Sequence, residues 1–260
     1  MLKQRLLNKT VVLLTFIIMI AVNIAANTIP INGVTTGEVS SLYPNLFAPA
    51  AYTFAIWGLI YLLLAMYTLY QFINKDIKNN ELVNKVGILF SISSVANALW
   101  ILAWHNLMIP FTMILMAVIL VCLILISSAI NCSNLSTIER IFIRLPFSVY
   151  FGWITVATIA NATTLLVSLG WESFGTAATI WTIIVLLVGM IIGTAVIKKY
   201  TDFAYGLTLI WAYNGILVRH LSKTGFNEEY IFIIAAVIIC IIIFILTLIN
   251  LFIIKKNKMV

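Results

Sequence analysis

Eight stretches of mostly apolar residues, joined by short polar connectors, constrain this chain more than any motif in it. They are Val11–Gly33, Pro49–Ile73, Val86–Trp104, Pro110–Ile130, Pro146–Gly170, Ala177–Ile197, Ala204–His220 and Tyr230–Ile254. A bilayer core about 30 Å thick takes roughly 20 residues of helix. A spanning segment must also satisfy its own backbone hydrogen bonds, which leaves helix as the structure for each. The seventh stretch is the weakest, being short and carrying Thr208, Tyr213 and Asn214. Composition points the same way, with 63% apolar and 9% charged residues in a chain of 260, where a soluble domain carries about 25% charged residues. The expectation is an all-α, polytopic transmembrane bundle of about eight helices without a soluble domain.

Basic residues orient such a bundle. With the N-terminus inside, Lys3, Arg5, Lys9, Lys75, Lys78, Lys85, Arg140, Arg144, Lys198, Lys199, Lys255, Lys256 and Lys258 fall on the cytoplasmic side, 13 of the 15 basic residues, leaving Arg219 and Lys223 outside. The 8 acids divide evenly. This pattern fits eight crossings with both termini cytoplasmic, and the net charge of +7 becomes an orientation signal instead of a nucleic-acid patch. Lys3, Arg5 and Lys9 ahead of an apolar run ending in Ala25-Ala26 also resemble a signal peptide; the run continues to Ile29, which favours a retained helix. The bias toward Ile, Asn and Lys suggests a bacterial plasma membrane.

Several functions lack their residues. No Asp, Glu or Lys lies near the middle of a span, which argues against a retinal Schiff base, intramembrane aspartyl proteolysis and ion coupling through acidic relays. His105 and His220 both fall near the outer surface and read as interfacial polar residues. Cys122, Cys132 and Cys240 suggest neither a disulfide framework nor a metal site. No metal and no required cofactor is expected, and no enzyme activity.

What the spans do contain is aromatic and amide residues at helical spacing: Phe54, Trp57 and Tyr61 in the second; Ser93, Asn97, Trp100 and Trp104 in the third; Tyr150, Trp153, Ala157 and Asn161 in the fifth. Residues three or four apart share a face. An Asn facing lipid leaves its amide unpaired at several kcal/mol on an alkane reference, so Asn97 and Asn161 should turn inward and carry Trp100 and Trp153 with them. Two readings stay open on periodicity alone: a pocket for a flat apolar ligand, or packing with Asn as interhelical glue. Gly189 and Gly193 read as a close-packing pair. Residues 34–48, with Pro44, Phe47 and then Pro49, read either as a cover over the outer end or as a plain connector.

Three of these segments carry a resemblance. YFGWITVATIAN, from Tyr150 to Asn161, is similar to the fifth-helix motif of the TspO/MBR family, the bacterial tryptophan-rich sensory proteins and the mitochondrial translocator protein, or peripheral benzodiazepine receptor. Pro44, Pro49, Trp57 and Tyr61 match its second-helix spacing, and Asn97 with Trp100 echoes its third-helix motif. The likeness covers roughly residues 11–168. It implies a five-helix membrane unit over 1–170 and three additional helices over 171–260. It also implies a pocket for a hydrophobic small molecule, with porphyrin, haem or a sterol as the ligand class and with sensing, sequestration or transport as the role. Trp57, Tyr61, Asn97, Trp100, Tyr150, Trp153, Ala157 and Asn161 are the implied ligand-binding residues, with Pro44, Phe47 and Pro49 in the covering loop. A homodimer is a further expectation, since the family's bundle pairs. Leu46 and Ala48 depart from the family's tryptophan and proline in that loop. The rival readings are a small-solute secondary transporter or permease, and a membrane-complex subunit without a pocket.

Overall fold

The computed structural model describes residues 2–29, 31–73, 80–172 and 174–257; Lys75, Asp76, Lys78 and Lys258, counted above in the charge pattern, lie outside them. Among the described residues all regular structure is helical: α1 (Leu2–Thr28), α2 (Thr36–Leu42), α3 (Ile56–Ile73), α4 (Asn80–His105), α5 (Ile109–Asn131), the single turn α6 (Thr137–Glu139), α7 (Leu145–Ser168), α8 (Thr176–Tyr200), α9 (Phe203–Leu221) and α10 (Ile231–Asn257). Among the described residues, seven helical segments are long and apolar enough to cross a membrane, namely those containing α1, α3, α4, α5, α7, α8 and α10. The chain is an integral, multi-pass membrane protein.

The eighth long helix, α9, is not among the seven. Its polar residues explain why: Thr208, Tyr213 and His220 are buried in it, so these side chains meet protein and the helix does not need to be apolar all round. Two boundaries also differ from the sequence expectation. The first span ends at Thr28, short of Gly33, because Asn32 and Gly33 take positive φ angles of 56° and 78°, a left-handed pair that cannot continue a helix. The second begins as a 3₁₀ turn, Ala51–Ala55, before α3 starts. Phe54 falls in that turn and is 43% exposed, so it does not continue the face of Trp57 and Tyr61.

The chain divides into two compact units. Unit 1 comprises residues 1–42 and 56–154. Within it α4 packs on α1 and α5, and Gly87 lets the Val12 side chain of α1 come close to the α4 backbone. Its core includes an aromatic group in which Tyr67 meets Phe147 at 4.8 Å and Phe90 at 5.6 Å between ring centroids, both edge to face. A π-helical stretch, Arg140–Arg144, leads into α7, entered through a capping box between Ser136 and Glu139.

Unit 2 comprises residues 43–55 and 155–260. Here α10 packs on α8 and α9. Gly189 and Gly193 are sites of close approach, as their spacing suggested: a Cβ at Gly189 would meet the Tyr213 hydroxyl, and one at Gly193 would meet Leu209 and Phe244. Tyr213 uses that space to donate to the Leu186 carbonyl at 2.9 Å. Asp202 caps α9 by accepting from the Tyr205 amide.

Candidate functional site

Unit 1 brings together Trp57 and Tyr61 from α3, Asn97 from α4, and Tyr150 and Trp153 from α7. Trp57 is the hub: it stacks on Tyr61 at 5.4 Å and meets Tyr150 and Trp153 edge to face, each at 6.1 Å between centroids. Trp153 is 4% and Tyr150 0% exposed, while Trp57 and Tyr61 remain partly accessible. Gly58, next to Trp57 on α3, is exposed, and nothing stands within 4 Å of a Cβ position there.

Polar groups thread this cluster in one direction. The Tyr61 hydroxyl donates to Asn23 Oδ1 at 2.7 Å, Asn23 Nδ2 donates to Asn97 Oδ1 at 2.8 Å, and Asn97 Nδ2 donates to the Tyr150 hydroxyl at 3.4 Å. Asn23 Nδ2 also reaches the Met19 carbonyl of its own helix at 2.8 Å. Each interhelical bond of this kind is worth about 1 kcal/mol in a membrane. Its larger effect is to fix which way the ring edges and amides point.

Trp100 stacks on Trp104 at 5.1 Å, nearer the end of α4. Ala157 is half-buried and Asn161 buried, on the part of α7 that belongs to unit 2. Pro44, Phe47 and Pro49 also belong to unit 2, with Phe47 fully buried and Pro49 buried.

The segment ahead of α3 is fastened at both halves. Its first half is tied to the end of α4: Asn32 Nδ2 donates to the His105 carbonyl, Trp104 Nε1 donates to the Thr36 carbonyl, and the His105 ring bonds the Ile31 carbonyl and the Thr36 hydroxyl at 3.2 and 3.0 Å. A carbonyl can only accept, so Nδ1 of His105 carries the proton and, in a neutral ring, Nε2 accepts from Thr36. The short helix α2 has its own capping box, with Thr35 N–H donating to Glu38 Oε2 at 2.6 Å and Glu38 N–H donating to Thr35 Oγ1 at 3.3 Å. Hydrogen bonds to it from the Thr35 backbone amide, and then from the Thr35 side chain, hold the Glu38 carboxyl below the usual carboxylate range.

The second half docks on α9 within unit 2. Asn45 knots it locally by accepting from the Phe47 and Ala48 amides at 3.1 and 2.9 Å. His220 Nε2 then donates to the Leu46 carbonyl at 2.9 Å, and the Ala50 amide donates to the Gly215 carbonyl at 2.9 Å. The Tyr52 hydroxyl reaches Asn214 at 2.8 Å, and Trp211 Nε1 reaches the Thr53 carbonyl at 3.0 Å. Gly215 is required here, because a Cβ would occupy the space of the Thr53 side chain.

The family model described as TSPO-like protein matches residues 9–249. The chain belongs to the TSPO-like family. The match runs on through α8 and α9 and into α10, well past residue 168, where the resemblance carried by the motifs ends. Comparison with curated proteins and with solved structures gives no match.

Sequence reasoning missed three residues in this TSPO-like chain. Asn23 joins Tyr61 to Asn97 in the amide chain. His105 and His220, read as interfacial, are each 0% exposed and each anchor one half of the loop. The available signal was their position at helix ends facing the same long connector. Among the described residues, no group of three or more His, Cys, Asp or Glu side chains could hold a metal ion.

Proposed function

We propose that this TSPO-like protein binds a flat, mostly apolar molecule of the tetrapyrrole or sterol class at the Trp57 cluster, for sensing, sequestration or transport. The observation that carries the reading is Trp57 itself: it touches three aromatic rings and still keeps an accessible edge on α3. A planar ligand arriving there exchanges ring–ring contact for ring–ligand contact, each aromatic pair being worth about 0.5–1.5 kcal/mol beyond its buried area. Asn97 and Tyr61 supply polar groups whose positions are already fixed, which lowers the ordering cost of binding. Trp100, Ala157 and Asn161 enter this reading through the family resemblance, and Pro44, Phe47 and Pro49 as parts of the loop before α3. No chemical step is assigned to the protein. The membrane in this reading is a bacterial plasma membrane with both termini cytoplasmic.

Titration with protoporphyrin, followed by tryptophan fluorescence, tests it. Saturable quenching is expected in the wild-type protein, with affinity reduced about tenfold or more by Trp153→Ala or Asn97→Ala, the loss of one desolvated contact of about 1.4 kcal/mol. Identical titrations in both variants would overturn the site. A second reading, a complex subunit without a pocket, is favoured by the Tyr61–Asn23–Asn97–Tyr150 chain, in which these groups partner one another. Absence of any saturable quenching would favour it.

A further inference from the structure

Unit 2 encloses a titratable ring at the point where residues 43–55 dock on α9. His220 is fully buried. Its Nε2 carries the proton, because the Leu46 carbonyl 2.9 Å away can only accept. In the neutral ring the other nitrogen, Nδ1, then holds a lone pair, and that atom is enclosed without a hydrogen-bond partner. The Phe226 ring is tilted against the imidazole at 4.7 Å between centroids, and Tyr230 meets it edge to face at 5.9 Å. The Arg219 guanidinium lies over the same Phe226 ring, 5.2 Å from its centroid.

A second proton has nowhere favourable to go. It must enter at Nδ1, where the new N–H meets no acceptor, and a buried donor left unpaired costs free energy. The charge that comes with it is shut away from water. Phe226 offers little compensation, since its ring already faces the permanent cation of Arg219, and two like charges about one ring repel. The other groups around His220 do not reverse this. The docked segment carries only Tyr43 and Tyr52 as titratable residues. The turn after α9 carries Lys223, Glu228, Glu229 and Tyr230, and the stretch before α8, whose Phe174 meets Phe226, carries Glu172. Those three carboxylates are exposed, where solvent screens them, and among the described residues none bonds the imidazole.

We infer that His220 is an acid-sensitive latch: neutral, it holds residues 43–48 against α9, and protonated, it releases them. A released ring in water takes up its proton at the ordinary imidazole value of about 6.5. Below that pH the proton favours the released segment, by about tenfold per pH unit. Release stops short of Ala50, because the Ala50–Gly215, Tyr52–Asn214 and Trp211–Thr53 bonds involve no group that titrates in this range. The latch is independent of what the Trp57 cluster binds.

Hydrogen exchange of the full-length protein in nanodiscs, at pH 7.5 and pH 5.5, tests this, with each rate divided by the intrinsic rate of that amide at the same pH. Protection across residues 45–48 is expected to fall about tenfold at pH 5.5, while that of α8 and α10 stays as it was. His220→Gln keeps a donor for the Leu46 carbonyl, and His220→Phe keeps a ring in the same space. Neither titrates, so in each the protection of 45–48 is expected to be equal at the two pH values, and one folded variant suffices. Equal protection at both pH values in the wild-type protein would overturn the latch. So would an equal fall throughout α8 and α10, or a tenfold fall that persists in either variant.

Discussion

His220 is held by a single carbonyl, yet that carbonyl belongs to Leu46, a residue that is 1% exposed in the loop before α3. Removing the imidazole leaves a buried acceptor unpaired, at about 1–3 kcal/mol. His220→Ala is therefore expected to raise hydrogen exchange in residues 43–55 by about fivefold or more, the opening that such a loss permits. Gly215→Val should act more strongly, since it pushes on Thr53 and disturbs the adjacent Ala50–Gly215 bond. Unchanged exchange in both variants would contradict the docking. The residues that sequence could and could not reveal differ in the range of their partners. Trp57, Tyr61, Asn97, Tyr150 and Trp153 were legible because helical spacing and the cost of an unpaired amide in lipid both act locally. The histidines were not, because nothing near position 220 records a carbonyl 174 residues earlier. Phe54 misled for a related reason: periodicity presumes an unbroken helix, and the 3₁₀ turn Ala51–Ala55 interrupts it.

Among the elements, the apolar helices were legible throughout, because lipid imposes length and apolarity on each segment independently of its neighbours. Their ends were less so, being set by caps and turns such as the left-handed Asn32–Gly33 pair. Helix α9 shows the limit most clearly. Its buried Tyr213 and His220 bond to other segments of unit 2, so burial in protein, which hydropathy does not register, decides its character. The Gly189-xxx-Gly193 pair was readable as a close contact, but its partners, Tyr213, Leu209 and Phe244, were not. Gly193→Val would drive its branched side chain against Leu209 and Phe244, both buried. Overpacking of this kind costs about 1–3 kcal/mol. A lower thermal unfolding midpoint in detergent is the expected result, against little change for Gly58→Ala, where the space is open. Equal midpoints for the two variants would show that α8 is not tightly held at this point.

For the whole molecule, apolarity of the chain and seven membrane-length helices agree on a multi-pass protein. Orientation comes from the basic residues alone, and Cys132 offers a direct check. It is exposed, whereas Cys122 and Cys240 are buried, and it follows α5 in a connector placed by the charge pattern on the cytoplasmic side. A membrane-impermeant maleimide should label Cys132 in inverted vesicles and spare it in right-side-out vesicles, and a C-terminal tag should be protected in the same sense. Labelling in right-side-out vesicles would reverse the assignment.

The docking of residues 43–55 on α9 also bears on how the protein is made. Tyr52 and Asn214 are separated by 162 residues, and Thr53 and Trp211 by 158. At about 5–20 residues per second, a ribosome needs roughly 8–30 s to span that interval. Throughout that delay the nascent loop has already left the translocon while the helix that will receive it has yet to be synthesised.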